Sequence, residues 1–185
     1  MTVRAATPAL QRRTIVLAAA LVILALLAVL AVALIKGRPA EDRSVAATGQ
    51  APGFALPAFQ GGTFTLADHA SGPVFVYFWA SWCTPCTEEA PLIQKLYPEY
   101  QAKGYTFVGV NIWDAEPDAR AFVQQQKLTF PAVTDPGGKT YLSYGVQQLP
   151  TALFLKKGLE QDRRFIGALT EAQLRDLLDH AGAGS

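Results

Sequence analysis

The chain contains two cysteines, Cys83 and Cys86, separated by a Thr-Pro dipeptide. They follow Val74–Trp79, an apolar run with the length and composition of a strand, and the residues from Thr87 onward are typical of a helix. The unpaired backbone N–H groups of a first helical turn stabilise an anion and lower the pKa of a thiol from about 8.5 to roughly 3.5–7.5. The pattern therefore predicts a dithiol in which one thiol attacks a disulfide and the other resolves the intermediate.

The residues alone leave two other functions possible for a Cys-X-X-Cys pair, namely zinc binding and a structural disulfide. Tetrahedral zinc needs four ligands, and the remaining soft donors are His69 and His180. An inert structural disulfide is the other alternative, but Pro85 would then have no purpose, whereas its fixed φ suits the start of a helix. We therefore favour a redox-active dithiol.

An uncharged apolar segment of 22 residues runs from Thr14 to Ile35. As a helix it would be about 33 Å long, enough to cross a hydrocarbon core of about 30 Å. Basic residues lie on both sides of it, so their count does not fix the orientation. We predict a cytoplasmic tail (residues 1–13), an uncleaved signal anchor (residues 14–35) and a catalytic domain on the periplasmic side of the cell membrane, where an anchored dithiol domain is most useful.

A cleaved signal peptide is the competing interpretation, because Ala31-Val32-Ala33 resembles a small-residue cleavage site. Against it, the apolar run is longer than that of most signal peptides and continues past this site. Residues 36–51 are small and polar without periodicity, which predicts a flexible linker. The formal net charge of +1 gives no argument for binding nucleic acid.

Residues 52–182 predict one α/β domain in which strands and helices alternate in the order β, α, β, α, β, β, α after an N-terminal hairpin. This order favours a central mixed sheet with helices on both faces. The predicted strands are Phe54–Phe59 with Thr63–Leu66, then Val74–Trp79, Tyr105–Asn111, Ala152–Lys156 and Gln161–Ile166, and the predicted helices are 85–101, 116–127, 140–144 and one after the capping box Thr170–Gln173.

Local signals add three expectations about the helices. Pro91 should kink the first helix of the domain, and Pro98 should end it or break it again, since proline removes a helical hydrogen bond. Asp114 is a plausible N-cap for the helix that begins near Glu116.

The residues also resemble a known family, the membrane-anchored thioredoxin-like thiol-disulfide oxidoreductases of the TlpA/ResA type. The resemblance covers about residues 51–181. It rests on the segment Phe78-Trp79-Ala80-Ser81-Trp82-Cys83-Thr84-Pro85-Cys86, on Glu89-Ala90-Pro91, and on Tyr144-Gly145-Val146-Gln147-Gln148-Leu149-Pro150-Thr151 before a strand.

The resemblance implies a thioredoxin-like fold, with the N-terminal hairpin as an addition, in which Pro150 is cis beside the disulfide. The backbone of Leu149 would then pair with an extended substrate segment, with Trp82 and Thr151 also at the substrate site. By spacing alone, a trans proline at the entry to a strand is an equal alternative. The family implies oxidised protein substrates and a membrane thiol-disulfide electron donor, and it needs neither a bound cofactor nor a metal.

The resemblance also assigns an active-site role to Glu89, as the carboxyl that exchanges a proton with Cys86. From its position alone, Glu89 would be a solvated acid in the first helical turn. Thioredoxin itself carries a buried acid in the strand before the cysteines, where this chain has Tyr77, so Glu89 is the remaining candidate for proton transfer.

The cysteine pair and the membrane segment predict an extracytoplasmic dithiol-disulfide exchanger, and the resemblance implies a reductase of protein disulfides in cytochrome c maturation or a related assembly. One alternative is a thiol peroxidase of the peroxiredoxin-related group, which would need a Thr and an Arg around a single peroxidatic cysteine. The other is a copper chaperone for oxidase assembly, which would combine the two cysteines with His69 or His180.

Overall fold

The computed structural model describes residues 8–35 and 44–183. The chain divides into two compact units, of which the first ends at Asp42 and the second begins at Arg43. The described part of the first unit is the helix α1 (Pro8–Ile35), and its segment Arg12–Leu30 is long and apolar enough to cross a membrane. The predicted spanning segment lies within α1, and most of the predicted N-terminal tail lies outside the described residues.

The described part of the second unit contains eight strands and four α-helices. In chain order they are β1 (Ser44–Ala46), β2 (Ala55–Pro57), β3 (Thr63–Thr65), β4 (Val74–Trp79), α2 (Thr84–Ala102), β5 (Thr106–Ile112), α3 (Glu116–Gln125), β6 (Ala132–Asp135), α4 (Lys139–Ser143), β7 (Thr151–Leu155), β8 (Gln161–Ile166) and α5 (Glu171–Ala183). The predicted hairpin is present as β2 and β3, which pair antiparallel and are shorter than expected.

Six of the strands form one mixed sheet in the order β1-β8-β7-β4-β5-β6. Strand β4 is parallel to β5 and antiparallel to β7, so it lies in the middle of the sheet. Its six side chains are all buried, because alternate residues of a central strand point into the two opposite layers of the core. The predicted thioredoxin-like α/β fold with a mixed sheet is confirmed.

Helices cover both faces of the sheet. On one face, aromatic residues of β4 and β5 pack against α2, α3 and α5, with Trp79 stacked on Phe122 at 4.4 Å. On the other face, Val76 and Phe78 of β4 join a second cluster that includes Tyr141 of α4. The order of strands and helices along the chain was therefore enough to predict that helices cover both faces of the sheet.

The predicted linker 36–51 is wrong in its second half. Strand β1 pairs antiparallel with β8 from Ser44 opposite Phe165 to Ala46 opposite Arg163, and the Ala51 N–H donates to the Leu159 carbonyl at 2.9 Å. Three residues are too few to show a strand period, and the partner strand lies more than a hundred residues away in the chain. The first half of the linker, residues 36–43, lies outside the described residues.

Helix α2 continues through both of its prolines to Ala102, so the predicted end or break at Pro98 is wrong. Each proline removes one helical hydrogen bond. That cost is offset by the apolar face that α2 buries on both sides of Pro98, including Leu96, Tyr97 and Tyr100.

Candidate active site

Cys83 and Cys86 form a disulfide at the start of α2, with the two Cα atoms 5.2 Å apart. Strand β4 ends at Trp79, three residues turn the chain, and Cys83 takes the N-cap position with an extended backbone. Its Sγ accepts a hydrogen bond from the Cys86 N–H at 3.2 Å. Pro85 lies in the first turn, as the sequence predicts. A first-turn N–H therefore already points at the sulfur that would carry negative charge in the reduced state.

The two sulfurs differ in how closely a substrate can approach them. The side chain of Cys83 keeps 5% of its surface exposed, and that of Cys86 has none. Attack on an external disulfide needs contact with solvent or substrate, so Cys83 is the cysteine that a partner can reach.

Glu89 is buried, with 3% of its surface exposed, whereas its neighbour Glu88 is exposed. Its Oε1 accepts from the Leu169 N–H at 2.8 Å, and its Oε2 has no hydrogen-bond partner among the described residues. Burial raises the pKa of Glu89 to about 7, because the bond from Leu169 and the interaction with the Tyr77 hydroxyl compensate only in part. The interpretation of Glu89 as a solvated first-turn acid is therefore wrong.

Tyr77 interacts with both the buried Glu89 carboxyl and residues 80–86, which we call the cysteine turn. Its hydroxyl lies 3.4 Å from the Cys86 carbonyl oxygen, to which it donates, and it also interacts with Glu89. Burial raises the pKa of Tyr77 well above its usual value, with a smaller effect from the charge of Glu89. Tyr77 thus stays a neutral hydroxyl donor throughout the pH range in which Glu89 titrates.

The peptide bond between Leu149 and Pro150 is cis. Thr151, the next residue, pairs with Phe78 in the sheet, so this segment enters β7 at the end of the sheet where β4 delivers the cysteines. The Pro150 carbonyl accepts from the Gly167 N–H at 2.8 Å, and the Thr151 hydroxyl donates to the Gln148 carbonyl at 2.8 Å. Within residues 8–35 and 44–183, the main chain of Leu149 makes no hydrogen bond and remains available to another strand.

Asp114 supports the cysteine turn, a role that the sequence did not indicate. Its carboxylate accepts from the Ser81 N–H at 2.6 Å, from the Ser81 hydroxyl at 2.7 Å and from the Asn111 side-chain amide at 2.9 Å. The predicted helix cap is wrong, because the N-cap of α3 is Ala115 and has no side-chain cap bond. Asp114 is 33 residues from Ser81, and no local signal reveals a contact at that separation.

Two exposed tryptophans lie beside the turn. Trp82 precedes Cys83 and is 60% exposed, and Trp113 follows β5 and is 53% exposed. The indole N–H of Trp82 donates to the Trp113 carbonyl at 3.2 Å. Sequence reasoning singled out Trp82 and missed Trp113, because only the parallel pairing of β4 with β5 brings the two together.

The two histidines have partners away from the cysteines. The His69 ring stacks on Phe64 at 4.5 Å and hydrogen-bonds to Thr106, and His180 contacts Asp162 at 2.8 Å. No group of three or more His, Cys, Asp or Glu side chains arranged to hold a metal ion is found in the described part of the chain.

The amino-acid sequence of this chain is similar to those of known proteins. Residues 47–162 match the model of the AhpC/TSA family. The thiol-disulfide oxidoreductase ResA of Geobacillus thermodenitrificans is 32% identical over 158 residues, which cover 85% of this chain and 91% of that protein.

Two solved structures of thiol-disulfide proteins have a fold similar to that of this chain. One is named as a thiol:disulfide interchange protein DsbE of Chlorobium tepidum, with 31% identity, a TM-score of 0.68, and coverage of 74% of this chain and 99% of that one. The other is a secreted thiol-disulfide isomerase of Corynebacterium glutamicum, with 25% identity, a TM-score of 0.70, and coverage of 80% and 96%. At this identity and coverage the chain belongs to the ResA-type thiol-disulfide oxidoreductases, with a match to the AhpC/TSA family model.

Proposed function

We propose that this oxidoreductase reduces disulfides in oxidised proteins, with Cys83 as the attacking thiol and Cys86 as the resolving thiol. The observation that carries this assignment is the position of the disulfide. It caps α2 with the accessible sulfur outermost and the other sulfur fully buried one turn further in. A reactive thiolate is favoured at that helix end, and an inaccessible thiol is suited to intramolecular attack.

The proposed reaction balances in atoms and electrons without a bound cofactor. The Cys83 thiolate attacks one sulfur of the substrate disulfide, the S–S bond breaks, and the other substrate sulfur leaves and takes a proton. Cys86 then loses its proton and attacks the Cys83 sulfur, which releases the second substrate thiol. The substrate gains two electrons and two protons, and the chain is left with the Cys83–Cys86 disulfide. A membrane thiol-disulfide donor returns the two electrons.

Glu89 is the proposed acceptor for the proton of Cys86. It lies three residues further along α2, so the two side chains share one side of the helix. Its pKa of about 7 allows it to take up and release a proton near neutral pH. The Tyr77 hydroxyl donates to the Cys86 carbonyl and interacts with Glu89, which indicates that the carboxyl lies near the cysteine turn.

The substrate chain is proposed to lie along the segment before β7. The unpaired main chain of Leu149 offers a donor and an acceptor to an extended segment, as when a strand adds to a sheet edge. Pro150 and Thr151 fix the direction of this segment, and the exposed Trp82, next to Cys83, is proposed to contact the substrate as well.

We further propose that α1 anchors the domain to the cell membrane, with the N-terminus in the cytoplasm and the catalytic unit on the periplasmic side. The length and composition of Arg12–Leu30 support an anchor. The similar Corynebacterium glutamicum protein is described as secreted, which supports a location of the catalytic unit outside the cytoplasm. Reductive assembly, such as cytochrome c maturation, is the setting proposed for the substrates.

Replacement of each cysteine separates the two thiol roles. Cys83→Ser should abolish insulin reduction, because it removes the attacking sulfur. Cys86→Ser should retain attack and accumulate a mixed disulfide through Cys83, because no thiol remains to resolve it. Non-reducing electrophoresis and mass spectrometry measure both outcomes. Mixed disulfides in Cys83→Ser and none in Cys86→Ser would reverse the assignment.

The reduction potential of the Cys83–Cys86 pair tests the direction of the reaction. We expect a value near that of thioredoxin, about −270 mV, because a reductase must donate electrons. Equilibration of the protein against thiol-disulfide buffers, followed by thiol alkylation, measures it. A value near −120 mV, roughly that of a strong oxidant, would mean that the protein forms disulfides instead.

Glu89→Gln tests the proton acceptor. Below its pKa of about 7 the carboxyl is protonated and cannot accept, so the wild-type rate of resolution should rise with pH through about 7. The glutamine variant should lose this inflection and resolve about 100-fold more slowly at pH 8. The rate is measured on a mixed disulfide between Cys83 and a peptide cysteine, formed at acid pH and moved to each test pH, as release of the peptide thiol after acid quenching.

Glu88→Gln is the matched control, since it makes the same change at the exposed neighbouring residue. It should leave both the rate and the inflection unchanged. Equal pH profiles for Glu89→Gln and wild type would remove Glu89 from the mechanism.

Asp114 is proposed to hold the cysteine turn in place through its two hydrogen bonds to Ser81. Asp114→Ala leaves the Ser81 N–H without its partner, and we expect the oxidised protein to lose about 2 kcal/mol of unfolding free energy. Urea unfolding measures the loss. Asp118→Ala, which removes an exposed acid from the first turn of α3, should lose less than about 1 kcal/mol. Equal losses would show that Asp114 contributes no more than a surface charge.

A further inference from the structure

Trp113 is held in an unfavourable backbone conformation at the catalytic end of the sheet. Its φ is 48°, in the left-handed region that bulky residues rarely adopt. Within residues 44–183 only four large apolar side chains are exposed, and Trp82 and Trp113 are the two beside the disulfide. Strain at an exposed aromatic residue near reacting groups points to a function, because stability alone would favour another residue there.

The indole ring of Trp113 packs against one neighbouring ring and fits into the space left by a glycine. The Trp113 ring packs against Tyr141 of α4 with the ring centroids 4.8 Å apart. Gly138 makes room for it, because a Cβ atom at that glycine would lie 2.6 Å from the indole nitrogen. The next residue, Asp114, is bonded to Ser81 in the cysteine turn. Trp113 therefore has a defined placement relative to the turn, although half of its surface faces solvent.

Trp82 and Trp113 are both exposed and hydrogen-bonded to each other, and we call them the tryptophan pair. The Trp82 indole N–H donates to the Trp113 carbonyl at 3.2 Å, which joins the two residues directly. Since Cys83 is only 5% exposed, the polypeptide that flanks a protein disulfide must lie over the surface around Cys83 when the two sulfurs come into contact. Such a polypeptide covers the tryptophan pair.

We propose that Trp113 is a substrate-contact residue that binds an apolar or aromatic side chain next to the cysteine of an extended polypeptide substrate. The indole offers a large, rigid apolar surface whose burial favours binding, and tryptophan is enriched among residues that dominate interfaces. Its partner is therefore a protein disulfide with apolar flanks rather than a small hydrophilic disulfide. This inference rests on the proposed attack by Cys83.

The test compares three disulfides that the reduced full-length protein attacks in detergent micelles. Two are peptides carrying a cysteine disulfide-bonded to glutathione, one with Phe on both sides of the cysteine and one with Ser on both sides. The third is hydroxyethyl disulfide, which is too small to contact Trp113. The readout is the rate constant for attack by Cys83, from acid quenching and mass spectrometry.

The main variant is Trp113→Asn, because asparagine tolerates a left-handed backbone and removes the ring without added strain. Trp113→Phe keeps an aromatic ring. Val45→Asn is the matched control, since it replaces an exposed apolar residue on β1, at the opposite edge of the sheet from β5 and β6.

We expect wild type to attack the Phe-flanked peptide about tenfold faster than the Ser-flanked one, the size of effect that a single buried tryptophan gives. Trp113→Asn should bring this ratio close to one and leave the rate with hydroxyethyl disulfide unchanged. Trp113→Phe should keep most of the preference, and Val45→Asn all of it.

Three results would overturn the proposal. They are an unchanged ratio in Trp113→Asn, an equal loss of ratio in Val45→Asn, and a fall in the hydroxyethyl disulfide rate as large as the fall with the peptides. The last would show a structural effect on Cys83. Failure of wild type to attack any of the three disulfides would instead reject the proposed attack by Cys83, on which the inference rests.

Discussion

The backbone N–H groups at the start of α2 are the constraint on which the catalytic end of this molecule depends. They need a partner, and the Sγ of Cys83 serves as that partner for the Cys86 N–H at 3.2 Å. The arrangement works only if β4 ends at Trp79 and α2 begins without delay, so the turn between them is short and tied down at Ser81. This turn holds the Cys83 sulfur at the positive end of the helix.

The buried carboxyl of Glu89 opposes the stability of the fold. Its charge is far from water and has one hydrogen bond, from the Leu169 N–H, so burial raises its pKa to about 7. A glutamine or an apolar residue would fit the core at lower free energy. Such a costly group is expected where a proton must move, and the neutral Tyr77 hydroxyl beside it adds no competing charge.

The sequence was most informative where the signal is local. Cys83, Cys86 and Pro85 lie within one turn, and the central strands are largely apolar, so the dithiol and the mixed sheet could be predicted. What could not be predicted depends on contacts between distant residues. Strand β1 has only three residues and pairs with β8, and Asp114 reaches Ser81 across 33 residues. Tertiary packing also kept α2 helical beyond Pro98, where the local rule for proline predicted an end or a break.

Chemistry and recognition come from different segments that meet at one end of the sheet. Because β4, β5 and β6 are parallel, their carboxyl ends lie together, and β7 begins there since Thr151 pairs with Phe78. The sulfur atoms lie at the start of α2, whereas the surface around them comes from Trp82 and from the segments that follow β5 and precede β7. The indole of Trp113 depends on the space left at Gly138, and neither residue contributes to the bond at the Cys83 sulfur. If Trp113 contacts the substrate as proposed, substitutions at those two positions change which polypeptides bind while the sulfur chemistry stays the same.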